Sequence, residues 1–394
     1  MDIQHDPYIR SDRERERLLR LEALAARFAE RAAEHDRLGT FPHENIDDLR
    51  DFGYMKLTVP EAFGGDGISL YEMVQLQERL AMGDGSTALA VGWHAGKVLN
   101  LRESRSWPKP LWAELCRDIV KKGVMINAFA SEPATGSPSR GGRPSTTAIA
   151  TEGGWVLSGR KNFSTLSPAL DRCIVTAYCE TTGKTEEFLV MMQDGVTIEE
   201  TWDTLGMRAT GSHDIILDHV FVPENHLLKP SGAAINDGGG WLLHIPACYM
   251  GIALAAREFA LRFAASYRPN SIKGPIAELP NIRQLIGQME LEQRTARQML
   301  YAAADRWDRH PELRPKLRSD LGLAKLAATN GAIRIVDLAM RIVGGTSLSK
   351  SHPLERYYRD VRAGLHNPPM DDAVMALLAG EALEGKLERK ESKK

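Results

Sequence analysis

Residues 146–165 read TTAIATEGGWVLSGRKNFST, and this stretch decides how the chain is organised. Two short β-rich runs are split by Gly153-Gly154, which reads as strand texture rather than helix. The same texture spreads outward. VMINAFA (124–130) lies upstream, and CIVTAYC (173–179), EFLVMMQ (187–193) and DIILDHVFVP (214–223) lie downstream, with Gly, Pro and Asp between them. From about Gly123 to about Pro230 the pattern predicts a compact β domain, a barrel or sandwich.

On both sides the periodicity is helical. Ser11 and Glu14 have capping-box spacing, and Leu18, Leu21, Ala25, Phe28 and Ala32 recur every three or four residues behind them. Pro42 suits a helix first turn, with Ile46, Leu49 and Phe52 as the buried stripe and Gly53 as the stop. Further helices are predicted over Leu70–Ala81 and Ser86–Leu99. After Gly238–Gly240, long helical runs cover Trp241–Tyr267, Ile282–Trp307, Arg318–Val343 and Asp371–Leu387, with Pro311 and Pro315 at a bend. The organisation is α+β: an N-terminal helical domain (1–122), a middle β domain (123–235) and a C-terminal four-helix bundle (236–394). Strands and helices do not alternate, so a Rossmann sheet is excluded. Gly65-Asp66-Gly67 reads as a tight turn rather than a nucleotide fingerprint.

Fifty basic residues against 52 acidic ones leave a net charge of −2, with no field for gripping nucleic acid. The opening MDIQHDPYIRSDRERER is charged where a signal peptide is apolar, and no run reaches membrane-spanning length. Cys116, Cys173, Cys179 and Cys248 fall in no CxxC spacing and read as reduced packing residues of a cytoplasmic protein. The eleven histidines form no HxxxH or HExxH unit, so no metal site is expected, and no GxSxG supports hydrolase chemistry.

Seven segments carry chemistry in a fixed order: Val59–Ser69; Ala130-Ser131-Glu132-Pro133-Ala134-Thr135-Gly136-Ser137; Gly159-Arg160-Lys161-Asn162-Phe163-Ser164-Thr165; Trp202–Ser212; Val222-Pro223; Gly344-Gly345; and Glu355–Asp360. Together they resemble the acyl-CoA dehydrogenase family over nearly the whole chain. The resemblance implies a homotetramer, a pair of dimers, with FAD (or FMN) held between the β domain and the C-terminal bundle. It implies flavin contacts from Phe129, Ser131, Ser137, Phe163, Ser164 and Thr165. It also implies that Arg268 reaches a neighbouring subunit's cofactor and that Gly344 and Gly345 let backbone approach the dinucleotide. Hydroxyls and an aromatic ring suit an isoalloxazine edge of N and O atoms.

The chain departs from the family at the base. Dehydrogenation of an acyl thioester needs a proton acceptor, which relatives supply as a Glu after the Arg-Asp pair or near the start of the first bundle helix. The corresponding residues here are Pro368 and His244. His244 and His366, with Asp371 a further acid nearby, are the candidates left. The segment RDVRAGLHNP also resembles the reduced-flavin monooxygenase branch of the same fold. The first reading is therefore oxidation of an acyl-CoA or related activated acid, with electron-transfer flavoprotein as electron partner. The alternative is monooxygenation of an aromatic or heteroaromatic substrate, fed by a flavin reductase. A flavin-bound relative without catalysis ranks last.

Overall fold

The helices start and stop where local chemistry dictates. In the computed structural model, which describes residues 3–135, 142–228 and 239–384, α1 (Asp12–Leu38) opens with Ser11 Oγ accepting the Glu14 N–H at 3.2 Å. The Glu14 carboxylate reaches back to the Arg10 N–H at 2.8 Å. One orphan donor of the first turn is thereby satisfied, and the chain entering the helix is pinned. α2 (His43–Phe52) follows Pro42 and closes on Gly53 at φ 83°, with Ile46 and Leu49 buried and Phe52 half-buried. α3 (Leu70–Ala81) and α4 (Gly85–Ser104) match their periodicity. α5 (Lys109–Lys122) is a helix that the sequence reading did not single out. Its buried Leu111, Leu115, Cys116 and Ile119 do lie at helical spacing, but two prolines at its start hid the pattern.

The chain divides into two compact units. One holds Ala23–Met73 and Ser86–Asp237, the other Met1–Glu22, Val74–Gly85 and Gly238–Lys394. The first contains all seven strands: β1 (Ile126–Phe129), β2 (Thr147–Thr151), β3 (Gly154–Lys161), β4 (Arg172–Cys179), β5 (Lys184–Met191), β6 (Val196–Glu199) and β7 (Asp214–Pro223). They form one hydrogen-bonded sheet in the order β1-β4-β2-β3-β7-β6, with β5 also on β4. The pairs β2–β3, β3–β7, β4–β5 and β6–β7 are antiparallel; β1–β4 and β2–β4 are parallel. His94, fully buried on α4, links this unit internally. Its Nε2 donates to the Met55 carbonyl at 3.0 Å and its Nδ1 accepts the Ile126 N–H at 3.1 Å. Two such bonds fix a neutral ring, and burial pushes its pKa down to about 4. Gly65 lies in a tight turn, where a Cβ would come 2.2 Å from the Val59 carbonyl oxygen.

The second unit is helical, with α6 (His244–Ser266), α7 (Pro280–Arg309), α8 (Arg318–Val343), α9 (Leu354–Asp360) and α10 (Asp371–Leu383). α6 is buried on every side from His244 to Ala256, as a helix without a polar face must be. α8 packs along both α6 and α7, and Val374 of α10 lies against Gly322 of α8. Gly251 permits the close pass of α6 over α3: a Cβ there would lie 2.2 Å from the Glu78 carbonyl oxygen, so any other residue would force the helices apart. Arg297, 2% exposed, donates to Glu78 at 3.0 and 2.8 Å and to Asp6 at 2.8 Å. Tyr301 donates to Glu78 at 3.0 Å, and Tyr8 stacks on Tyr301 with centroids 4.2 Å apart. The four cysteines are buried and none is in a disulfide. Among the described residues no helix is long and apolar enough to cross a membrane.

Candidate active site

In the β-containing unit the expected cofactor residues gather at the end of β3. Phe163 sits at φ 52° yet leaves its ring 64% exposed, edge-on to Trp202 at 5.8 Å between centroids. A bulky residue on left-handed backbone costs about 1–2 kcal/mol, and an exposed ring offsets little of that by burial. Thr165 Oγ1 meets Ser212 Oγ at 2.8 Å, and Ser212 meets Thr210 Oγ1 at 2.8 Å. The Thr210 hydroxyl also bonds the Met207 carbonyl at 3.1 Å. Asn162 donates its N–H to the Ser131 carbonyl at 3.1 Å, so the Ser131 and Phe163 segments share one place. Among the described residues the buried Asn162 Oδ1 has no hydrogen-bond partner. Two expected contacts point inward instead. Phe129 is 3% exposed, and Ser164 is fully buried with its hydroxyl turned to the Lys161 carbonyl. Ser137 lies outside the described residues.

This surface fits a flavin. It offers an exposed aromatic ring, a relay of hydroxyls and a buried amide oxygen still to be matched by a donor. Ser131, Asn162, Phe163 and Thr165 are the residues that would hold the ring system. Trp202, Thr210 and Ser212 join them; the sequence had flagged their segment but not these side chains. The only sequence signal was their place in the WDTLGMRATGS motif.

In the helical unit, His244 is the first residue of α6. It is fully buried and stacks on Trp241, with centroids 6.2 Å apart and planes 17° from parallel. Burial pushes its pKa down to about 3, so the ring is neutral through the working range. His366 ends the turn Val361–His366 and is exposed. Its neighbour Asn367 is anchored: Tyr249, five residues along α6 from His244, donates its hydroxyl to Asn367 Oδ1 at 2.5 Å. Gly364 lies against the Tyr249 ring, where a Cβ would come within 3.0 Å. Tyr249 thus joins the two histidine-bearing segments, a role no linear motif announced. Asp371 is committed elsewhere, accepting from Lys325 at 3.0 Å and Asn330 at 2.8 Å. Burial alone would raise its pKa, but these bonds and the Lys325 charge hold it below the usual carboxylate value. Arg268 is exposed just beyond α6. Gly344, at φ 78°, and Gly345 end α8 with open space around both.

The chain belongs to the acyl-CoA dehydrogenase family, flavin-dependent oxidoreductases. The family's N-terminal domain matches residues 14–102, its middle domain 127–220 and its C-terminal domain 243–367. The chain is 50% identical to the putative acyl-CoA dehydrogenase YdbM of Bacillus subtilis, over 96% of this chain and 99% of that one. It is 31% identical to L-evernosamine nitrososynthase of a Micromonospora strain, over 92% of this chain and 89% of the other. The structure of KijD3 in complex with FMN and a dTDP-linked amino sugar superposes with a TM-score of 0.83 at 29% identity, covering 95% and 94% of the two chains.

Proposed function

We propose that this protein oxidises a small organic substrate with oxygen and reduced flavin, placing one oxygen atom on the substrate and releasing the other as water. The observation that carries this reading is His244. The position where a relative's carboxylate would take a proton holds a fully buried imidazole whose pKa is pushed to about 3. Such a ring is among the weakest of bases for an α-proton, yet a competent neutral hydrogen-bonding group in a dry site. A bound flavin would supply the redox chemistry, passing two electrons between donor, oxygen and substrate. The protein's part is to bind and orient. Ser131, Asn162, Phe163 and Thr165 hold the ring system, His244 presents a neutral polar group, and the Tyr249–Asn367 bond steadies His366. A flavin reductase is the matching electron source.

The second reading is acyl-CoA dehydrogenation with electron-transfer flavoprotein as acceptor. The name of the 50%-identical relative favours it, as does the match of the Ser131 and Arg160–Thr165 segments. His366, exposed and carried beside an anchored Asn367, would then be the base. Mixing the flavin-loaded protein anaerobically with short, branched and long acyl-CoAs separates the two. Bleaching of the flavin absorbance supports dehydrogenation and overturns the oxygen reading. Oxygen uptake that requires both reduced flavin and a candidate amine or aromatic substrate, with no bleaching by acyl-CoAs, supports the oxygen reading.

FAD is the expected cofactor. Arg268, Gly344 and Gly345 would serve its adenosine monophosphate part, which FMN lacks, so Arg268→Ala should weaken FAD and spare FMN in parallel titrations. A cytoplasmic homotetramer completes the reading, and light scattering showing a stable flavin-loaded monomer would contradict it.

A further inference from the structure

Beneath the Phe163 surface lies a charge pair that the reading above does not use. Lys161 closes β3 with its ammonium fully buried, 2.5 Å from Glu132 Oε1 and 3.3 Å from Thr176 Oγ1. The Glu132 side chain is 1% exposed. It also accepts the Ser145 N–H at 2.5 Å through Oε2 and the Thr146 N–H at 3.2 Å through Oε1. One residue before Glu132, the Ser131 carbonyl accepts the N–H of Asn162, the residue after Lys161. Three backbone segments, 131–132, 145–146 and 161–162, are therefore tied at one point.

Stability does not explain this arrangement, because well-packed apolar residues commonly replace a buried ion pair at no loss. What a fully bonded pair supplies is register. Two residues beyond Lys161, Phe163 is held on left-handed backbone, a conformation that persists only where its surroundings over-determine it. The bonds available to do so are those of Lys161, the Asn162 N–H, the Ser164 N–H to the His213 carbonyl and the Thr165 hydroxyl.

We propose that Lys161 and Glu132 are a positioning pair for the flavin: they lock Ser131 and the Asn162–Thr165 turn in one register, so that the cofactor meets a preformed surface. The inference rests on the flavin reading of that surface. Neither residue touches the cofactor in this scheme; both act through the backbone they hold.

The test is the double variant Glu132→Gln/Lys161→Met. It leaves no unpaired buried ion, but the glutamine turns an NH2 group towards one of the two amide donors that the carboxylate accepted. Its melting temperature should stay near that of the parent. Its flavin Kd should rise about tenfold or more, as expected where the binding-competent register is populated only about a tenth of the time, and the absorption band of bound flavin should shift. Glu132→Asp keeps both charges and covers the case in which the double variant fails to fold; a smaller rise in Kd is expected. A folded variant with parental Kd and parental band overturns the positioning role alone. A parent protein that binds neither FAD nor FMN overturns the flavin reading and this inference with it.

Discussion

The Glu132–Lys161 seat in the β-containing unit and the first turn of α6 in the helical unit bury titratable side chains in opposite ways. At the first, an ammonium and a carboxylate are both out of water; burial works against both charges and lowers the Lys161 pKa, and their mutual bond, with two backbone amides on the carboxylate, opposes it. At the second, His244 is equally buried, and the ring stays neutral because desolvation disfavours its charged form. A dry interior tolerates charge only where partners surround it. The first site is thus an electrostatic anchor, and the second a neutral polar group.

The sharpest way to break this contrast is to remove one partner from each site. Glu132→Leu strands the Lys161 ammonium and should cost about 3–5 kcal/mol in urea unfolding. His244→Phe replaces a neutral ring with an apolar one of similar shape and should cost less than about 1.5 kcal/mol. Equal losses would mean that His244 is charged in the fold. The same His244→Phe protein should lose about 10²–10³-fold in substrate-dependent turnover while still binding flavin, the usual worth of one positioned hydrogen-bonding group, measured as oxygen uptake. Turnover within a few fold of the parent would remove His244 from the mechanism.

Acid titration sharpens the contrast further. A histidine whose folded pKa is depressed contributes stability that is fully present above its unfolded value of about 6.5 and is lost as pH falls. His94, at about 4 in the fold, should withdraw about 3 kcal/mol across that interval, with His244 continuing to about pH 3. Glu132 is held below the usual carboxylate value: burial pushes it up, but the Lys161, Thr146 and Ser145 hydrogen bonds outweigh that. Its contribution is lost only below about pH 4.5. Melting temperature should therefore be flat between about pH 7 and the onset of thiol ionisation in the unfolded chain, about pH 8.5, and on the acid side fall first in the histidine window. His94→Gln should flatten that first fall; a profile flat down to pH 5 in the parent would contradict the buried neutral rings. The smallest effect belongs to Phe163→Gly. Glycine relieves the left-handed strain but loosens the unfolded chain, so stability should change by no more than about 1 kcal/mol. Flavin affinity should drop measurably, and a rise would show that the ring obstructs the site.

Much of this was legible in the sequence because it is local. The capping pair Ser11–Glu14, the Gly53 stop and the strand runs from VMINAFA to DIILDHVFVP each declare themselves within a few residues, and the structure forms them there. Helix α5 did not, since Pro108 and Pro110 mask a short stripe. The Ser131, Phe163 and Thr165 segments were legible as motifs. The two inward-facing members, Phe129 and Ser164, were not distinguishable from their neighbours, because facing is set by strand parity and by the turn at Phe163. The partnerships were hidden altogether. Glu132 with Lys161, Tyr249 with Asn367, and Asp371 with Lys325 lie 29, 118 and 46 residues apart. Nothing in linear spacing says that such residues meet.

The cluster around Arg297 extends that point to the order of assembly. Asp6 and Arg297 are 291 positions apart, and Tyr8 and Gln298, bonded at 3.3 Å, are 290 apart. During synthesis Asp6 and Glu78 leave the ribosome long before the guanidinium that neutralises them, and domains tend to fold as their chain emerges. The helical unit has this high contact order built into a buried charge cluster, so loop closure must precede the reward. Its interior is thus among the last parts to close, and truncation near residue 6 should damage the same core as a lesion near residue 297.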